Sequence, residues 1–149
     1  MKKIVLLLIL TLGVNQLQAQ IMKPVKWKTS VVKINDTDYD LVATATIDEG
    51  WHLYSQVIPE GDGPIPTTFT FEASKSYQKR GNTKEGEGHT VNDPVFNMKI
   101  KFFENKAEFK QRIRIKEKTN KINGIVNFMV CNDSSCLPPT EVDLSFDIK

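Results

Sequence analysis

"EFKQRIRIKEK", residues 108–118, alternates apolar and charged side chains along most of its length. Phe109, Ile113 and Ile115 fall on one side of an extended chain, and Lys110, Arg112, Arg114 and Lys116 fall on the other. A period of two belongs to a β-strand with one buried face. Its basic side reads as a solvated strand face, whose charges also discourage edge-to-edge pairing. The same period recurs in "YDLVATATI" (39–47), "TTFTFE" (67–72), "FNMKIKF" (96–102) and "EVDLSFDIK" (141–149). "GIVNFMV" (124–130) is apolar on both sides, which predicts a central strand. No stretch carries a strong helical period. Seven or eight short strands without helices predict an all-β fold, an antiparallel sandwich.

Two segments break the rhythm. "VIPEGDGPIP" (57–66) is rich in Gly and Pro and reads as a loop. "SKSYQKRGNTKEGEGHTVNDP" (74–94) is polar and glycine-rich, and predicts an irregular flap longer than ordinary connections.

The start of the chain bears on compartment. Lys2 and Lys3 precede the apolar run "IVLLLILTLGV" (4–14), then "NQLQAQ" with Ala19 at a plausible cleavage point. This is the pattern of a signal peptide over residues 1–19, and the run is short for a membrane span. No cysteine follows it to carry a lipid, so no stable membrane anchor is expected. Residues 20–149 then fit one domain, expected as an exported, periplasmic monomer. The full chain has 20 Lys+Arg and 18 Asp+Glu; without Lys2 and Lys3 the balance is 18 against 18. That neutrality removes the electrostatic basis for a nucleic-acid role.

Both cysteines stand in "VCNDSSCLPP" (130–139), between two predicted strands. The pair is expected at an exposed, hairpin-like end of the sandwich. A turn through Asn132, Asp133, Ser134 and Ser135 can bring Cys131 and Cys136 within disulfide range. Pro138 and Pro139 stiffen the exit. Three readings stand: a staple, a working dithiol or a metal clip. A staple closing six residues contributes only about 2 kcal/mol in the chain-entropy picture. The spacing is not CxxC, and no helix follows to lower a thiol pKa. A zinc site would need His52 and His89 to converge on the thiolates, which nothing in the spacing favours. No metal and no cofactor is expected.

Three pieces resemble the amino-terminal periplasmic domain of the thiol:disulfide interchange protein DsbD, as found in stand-alone secreted domains. They are "DEGWHLYSQ" (48–56), "GPIPTTFTF" (63–71) and "VNFMVCNDSSCLPPTEVDLSF" (126–146). The resemblance implies an immunoglobulin-like β-sandwich and a redox-active pair, Cys131 and Cys136. It implies electron relay between thioredoxin-like periplasmic proteins, or from a membrane electron donor, as a thiol:disulfide oxidoreductase or relay domain. It favours Cys136 as the partner-facing sulfur and Cys131 as the resolving one. Two departures stand out: four residues rather than five separate the cysteines, and the region matching the cap loop, "NTKEGEGHTVNDPVF" (82–96), has no aromatic residue in its glycine-rich centre. Weak cover over the pair is the expectation there.

Supporting residues follow from the same regions. Asp133 would raise nearby thiol pKa values. Tyr54 could pack beside the disulfide or donate its hydroxyl. His52 and His89 could move protons near neutral pH, although an exposed strand or flap histidine is the commoner case. Pro138 and Pro139 would form the rim on which a partner docks. The competing class is a non-catalytic secreted β-sandwich binding module with a structural disulfide.

Overall fold

The structure is a computed structural model describing residues 22–93 and 96–149. The expected signal peptide, residues 1–19, lies outside the described residues. Among those described there is no helix, and hence none long and apolar enough to cross a membrane.

The described residues form twelve strands: β1 (Val25–Lys33), β2 (Asp38–Ile47), β3 (His52–Tyr54), β4 (Thr68–Phe71), β5 (Tyr77–Lys79), β6 (Lys84–Glu85), β7 (His89–Asp93), β8 (Met98–Phe103), β9 (Lys106–Ile115), β10 (Lys121–Phe128), β11 (Val130–Cys131) and β12 (Thr140–Asp147). This exceeds the expected number for two reasons. The segment read as an irregular flap contributes β5, β6 and β7, and the cysteine stretch contributes β11. Short strands of that kind lack a period long enough to register in the sequence.

One layer has the order β1-β2-β9-β5, with β6 also on β9. The other comes in two pieces, β12-β10-β4 and β11-β3-β8-β7. Every pairing is antiparallel. Leu41, Ala43, Ala45, Phe109 and Ile113 from the first layer share one core with Leu53, Phe103, Val126, Phe128, Val130, Leu144 and Phe146 from the second. Trp27 on β1 joins the layers, its ring 5.9 Å from Phe69, 5.8 Å from Phe109 and 5.5 Å from Phe128.

β9 is central, not an edge, and its basic face is not simply solvated. The β2–β9 register sets Asp38 opposite Arg114 and Asp40 opposite Arg112. Arg114 grips Asp38 with two bonds of 2.8 and 2.9 Å, and Arg112 grips Asp40 in the same forked manner. Arg114, helped by the Asn35 amide, holds the Asp38 carboxyl far below the usual carboxylate range. Gln111 points inward between Phe109 and Ile113 and is buried. Its amide donates to the Gly81 and Arg112 carbonyls and accepts from the Thr83 hydroxyl, so its polar atoms are satisfied.

The step that builds the site is a change of sheet. β10 pairs with β12 and β4, as a central strand should, up to Phe128. After Met129 the chain leaves that piece, and β11 pairs instead with β3.

Candidate functional site

Cys131 and Cys136 form a disulfide, and their Cα atoms are 4.0 Å apart. They oppose each other as an antiparallel bridge. Leu137 N–H donates to the Val130 carbonyl on one side (2.9 Å), and Asn132 N–H to the Ser135 carbonyl on the other (2.9 Å). Cysteines between two such bonds are a non-hydrogen-bonded pair, the arrangement that brings facing side chains closest. Asp133 and Ser134 form the tip. The Asn132 side-chain oxygen accepts from the N–H groups of Ser134 (2.9 Å) and Ser135 (2.8 Å), which closes the turn without help from the sulfurs.

The two sulfurs have different surroundings. The pair was expected to be exposed as a whole; instead Cys131 is 3% exposed while Cys136 is open to solvent. The change of sheet explains this, because strand pairing to β3 draws Cys131 under its neighbours. Cys131 shares a second apolar cluster with Tyr54, Ile100 and Phe102, flanked by Ile58, Phe96, Met98 and Met129.

Cover over that cluster comes from two places. The loop at 57–66 lies on it: the Ile65 N–H meets the Met129 sulfur at 3.5 Å, and a Cβ on Gly63 would come within 2.9 Å of the Met98 sulfur. Phe96 stands edge-on to Tyr54, with ring centres 6.1 Å apart. The glycine-rich centre of the flap is not loose either. Glu85 accepts from the Ser55 hydroxyl, the Gln56 N–H and Lys101. Burial alone would raise the Glu85 carboxyl, but those three donors together hold it below its ordinary value.

The matching family is the one described as thiol:disulfide interchange protein DsbD, N-terminal, and the match runs over residues 18–147. The chain belongs to this family. Solved DsbD N-terminal domains have the same all-β, immunoglobulin-like fold. The reduced DsbD N-terminal domain of Neisseria meningitidis is 12% identical, with a TM-score of 0.54 over 85% of this chain and 90% of that one. The complex of the DsbD and PilB N-terminal domains from the same organism gives a TM-score of 0.58 at 12% identity, over 85% and 87%. The N-terminal periplasmic domain of ScsB from Proteus mirabilis gives 0.54 at 14%, over 83% of this chain and 45% of that one. No curated protein matches the chain in sequence.

Within this DsbD N-terminal fold the singled-out residues do not all meet. Tyr54 packs in the cysteine cluster; burial, and then the charge of Asp93, pushes its hydroxyl up to about 12, so it stays protonated. His52 is the cross-strand partner of Cys131. His52 and His89 do not converge on the sulfurs; both reach Glu104, at 3.0 and 3.8 Å. Asp133, Pro138 and Pro139 are exposed beyond the bridge. Among the described residues no group of three or more His, Cys, Asp or Glu side chains could hold a metal ion. Glu104, Glu85 and Phe102 escaped sequence reasoning as site residues, since a lone acid in a turn or short strand, or a lone aromatic in a strand, carries no motif. Asn132 had a visible signal, an Asn opening a short polar turn.

Proposed function

We propose that this domain carries out thiol-disulfide exchange through Cys131 and Cys136, relaying electrons between thioredoxin-like proteins of the periplasm. The observation that carries the reading is the asymmetry of the pair: an open Cys136 bonded to a buried Cys131. A partner thiolate attacks Cys136 Sγ in line, the Cys131–Cys136 bond breaks, and its electron pair stays on Cys131 Sγ. The partner's second thiol then resolves the mixed disulfide. The partner leaves oxidised and this pair reduced by two electrons. In the reverse direction Cys136 thiolate attacks an oxidised acceptor and Cys131 resolves. Family membership and a solved DsbD N-terminal domain bound to another domain support a protein partner.

A purely structural staple has less to do here. Asn132 and the β11–β3 pairing already hold the turn. The exposed tip with Asp133, followed by Pro138 and Pro139, forms the docking rim in this reading. Residues 1–19 direct export and the mature domain acts as a monomer.

Two single-cysteine variants test the exchange. Reduced Cys131→Ser protein, mixed with an oxidised thioredoxin-like protein of its compartment, should form an adduct on non-reducing gels that reductant dissolves. Cys136→Ser should form little. Absence of any adduct from either variant would leave the staple as the better account. N-terminal sequencing of exported protein tests the cleavage site.

A further inference from the structure

Beside the disulfide stands a linked set of titratable groups: His52, Glu104 and His89. His52 faces Cys131 across the β3–β11 ladder, so both side chains project from the same face of the sheet. Its ring stacks on Phe102, with centres 4.3 Å apart, and Phe102 lies in the cluster that buries Cys131. Its Nε2 is 3.0 Å from Glu104 Oε1, at the turn between β8 and β9. His89, on β7, puts its Nε2 3.8 Å from the other oxygen of the same carboxylate. His52 is the more enclosed histidine, with its side chain 22% exposed against 67% for His89.

We propose that His52, oriented by Glu104, is a positioning residue that sets the charge beside Cys131 and so couples the release of Cys131 to pH. The inference rests on the exchange reaction above and adds a control on it. When a thiolate attacks Cys136, negative charge develops on Cys131 Sγ, in an apolar setting that disfavours it. Among the described residues, the titratable and charged groups around His52 come from four neighbouring elements. Glu104 approaches from the β8–β9 turn, His89 from β7 and Cys131 from β11. Tyr54 lies further along the same face of β3, and Asp93 at the far end of β7. Lys101 is turned to the other face, bound to Glu85.

With both imidazoles neutral, the trio carries the single negative charge of Glu104, which opposes the departing thiolate. Protonating His52 cancels that charge, and protonating His89 makes the trio positive. Both changes favour charge on Cys131, and a leaving thiol whose pKa is lowered leaves faster. The sign is therefore fixed: per reductant thiolate, reduction is faster when the histidines carry protons and slower when they are neutral.

The test uses the oxidised protein and dithiothreitol, with no protein partner, so its result is independent of adduct formation. The second-order rate of disulfide reduction is measured across the neutral range and divided by the fraction of reductant thiolate at each pH. The wild type should lose about fivefold in this corrected rate as pH rises from 5.5 to 8. His52→Gln, which keeps a donor for Glu104 but cannot titrate, should remove most of that fall. His89→Gln should retain most of it. Glu104→Gln should raise the corrected rate on the alkaline side, a gain that a merely structural role of Glu104 would not produce. A flat profile in the wild type, or an undiminished fall in His52→Gln, would overturn the proposal. A positive result alongside absent protein adducts would leave the coupling intact and remove only the relay.

Discussion

Ser55, the residue after β3, donates its hydroxyl to Glu85 on β6 across 2.6 Å, joining the end of one strand to a strand in the opposite layer of the sandwich. Gln56 N–H (2.7 Å) and Lys101 (2.9 Å) complete the shell of that carboxylate. Through Glu85, the polar segment 81–93 is tied to the strand that pairs with Cys131.

Stability should therefore fall in acid. The folded-state pKa of Glu85 is depressed, as is that of Asp38. Their contribution is complete above the ordinary carboxylate value of about 4 and is lost as pH falls through the depressed ones. Glu85→Gln should cost about 2 kcal/mol at neutral pH, the scale of lost hydrogen bonds to a charged group. Urea midpoints at pH 7 and pH 3.5 measure both effects, and the variant should show the smaller drop.

The two thiols of the reduced protein should differ in reactivity. Cys136 should be alkylated at least about tenfold faster than Cys131, because access governs thiol reactivity as much as thiolate fraction does. Timed quenching and peptide mass analysis give the two rates. Equal rates would contradict the division of labour between the sulfurs.

Phe96 should matter more to access than the glycine-rich centre of the same segment. Phe96→Ala removes the ring that stands over Tyr54 beside the buried sulfur. Alkylation of Cys131 should accelerate several-fold, with the rate at Cys136 little changed. Dividing the two rates measured on one sample isolates the effect of cover.

Gly88→Ala should destabilise the domain without touching the cysteines. A Cβ there would meet the Phe102 carbonyl at 2.6 Å and the Phe103 ring at 2.8 Å. A backbone oxygen cannot move aside like a flexible side chain, so a loss of about 1–3 kcal/mol is expected. Thermal melts of the oxidised protein report it.

Much of the sandwich was legible because alternation assigns each residue to a face before any partner is known. β2, β8, β9 and β12 lie in stretches whose period of two runs clearly, and β10 in one apolar on both sides. β6 and β11, of two residues each, have no measurable period, and they exist because neighbouring strands offer free backbone groups. Gln111 shows the same limit: it occupies an apolar-face position, and only the nearby Gly81 carbonyl and Thr83 hydroxyl make its burial tolerable.

The sequence by itself determined that the cysteines would meet. They stand five positions apart, an Asn opens the turn between them and prolines follow. Those are local matters, decided by chain length and backbone preference. Tertiary structure alone decided that the sulfurs would be unequal and what would surround them. Strand alternation specifies a face but not a neighbour, and β10 could have continued beside β12. By leaving that sheet after Met129, the chain pairs Cys131 with His52, 79 residues earlier, and His52 in turn finds Glu104, 52 residues later. Contacts over such separations follow from the backbone pairing of whole sheets, and no local stretch of the sequence contains them.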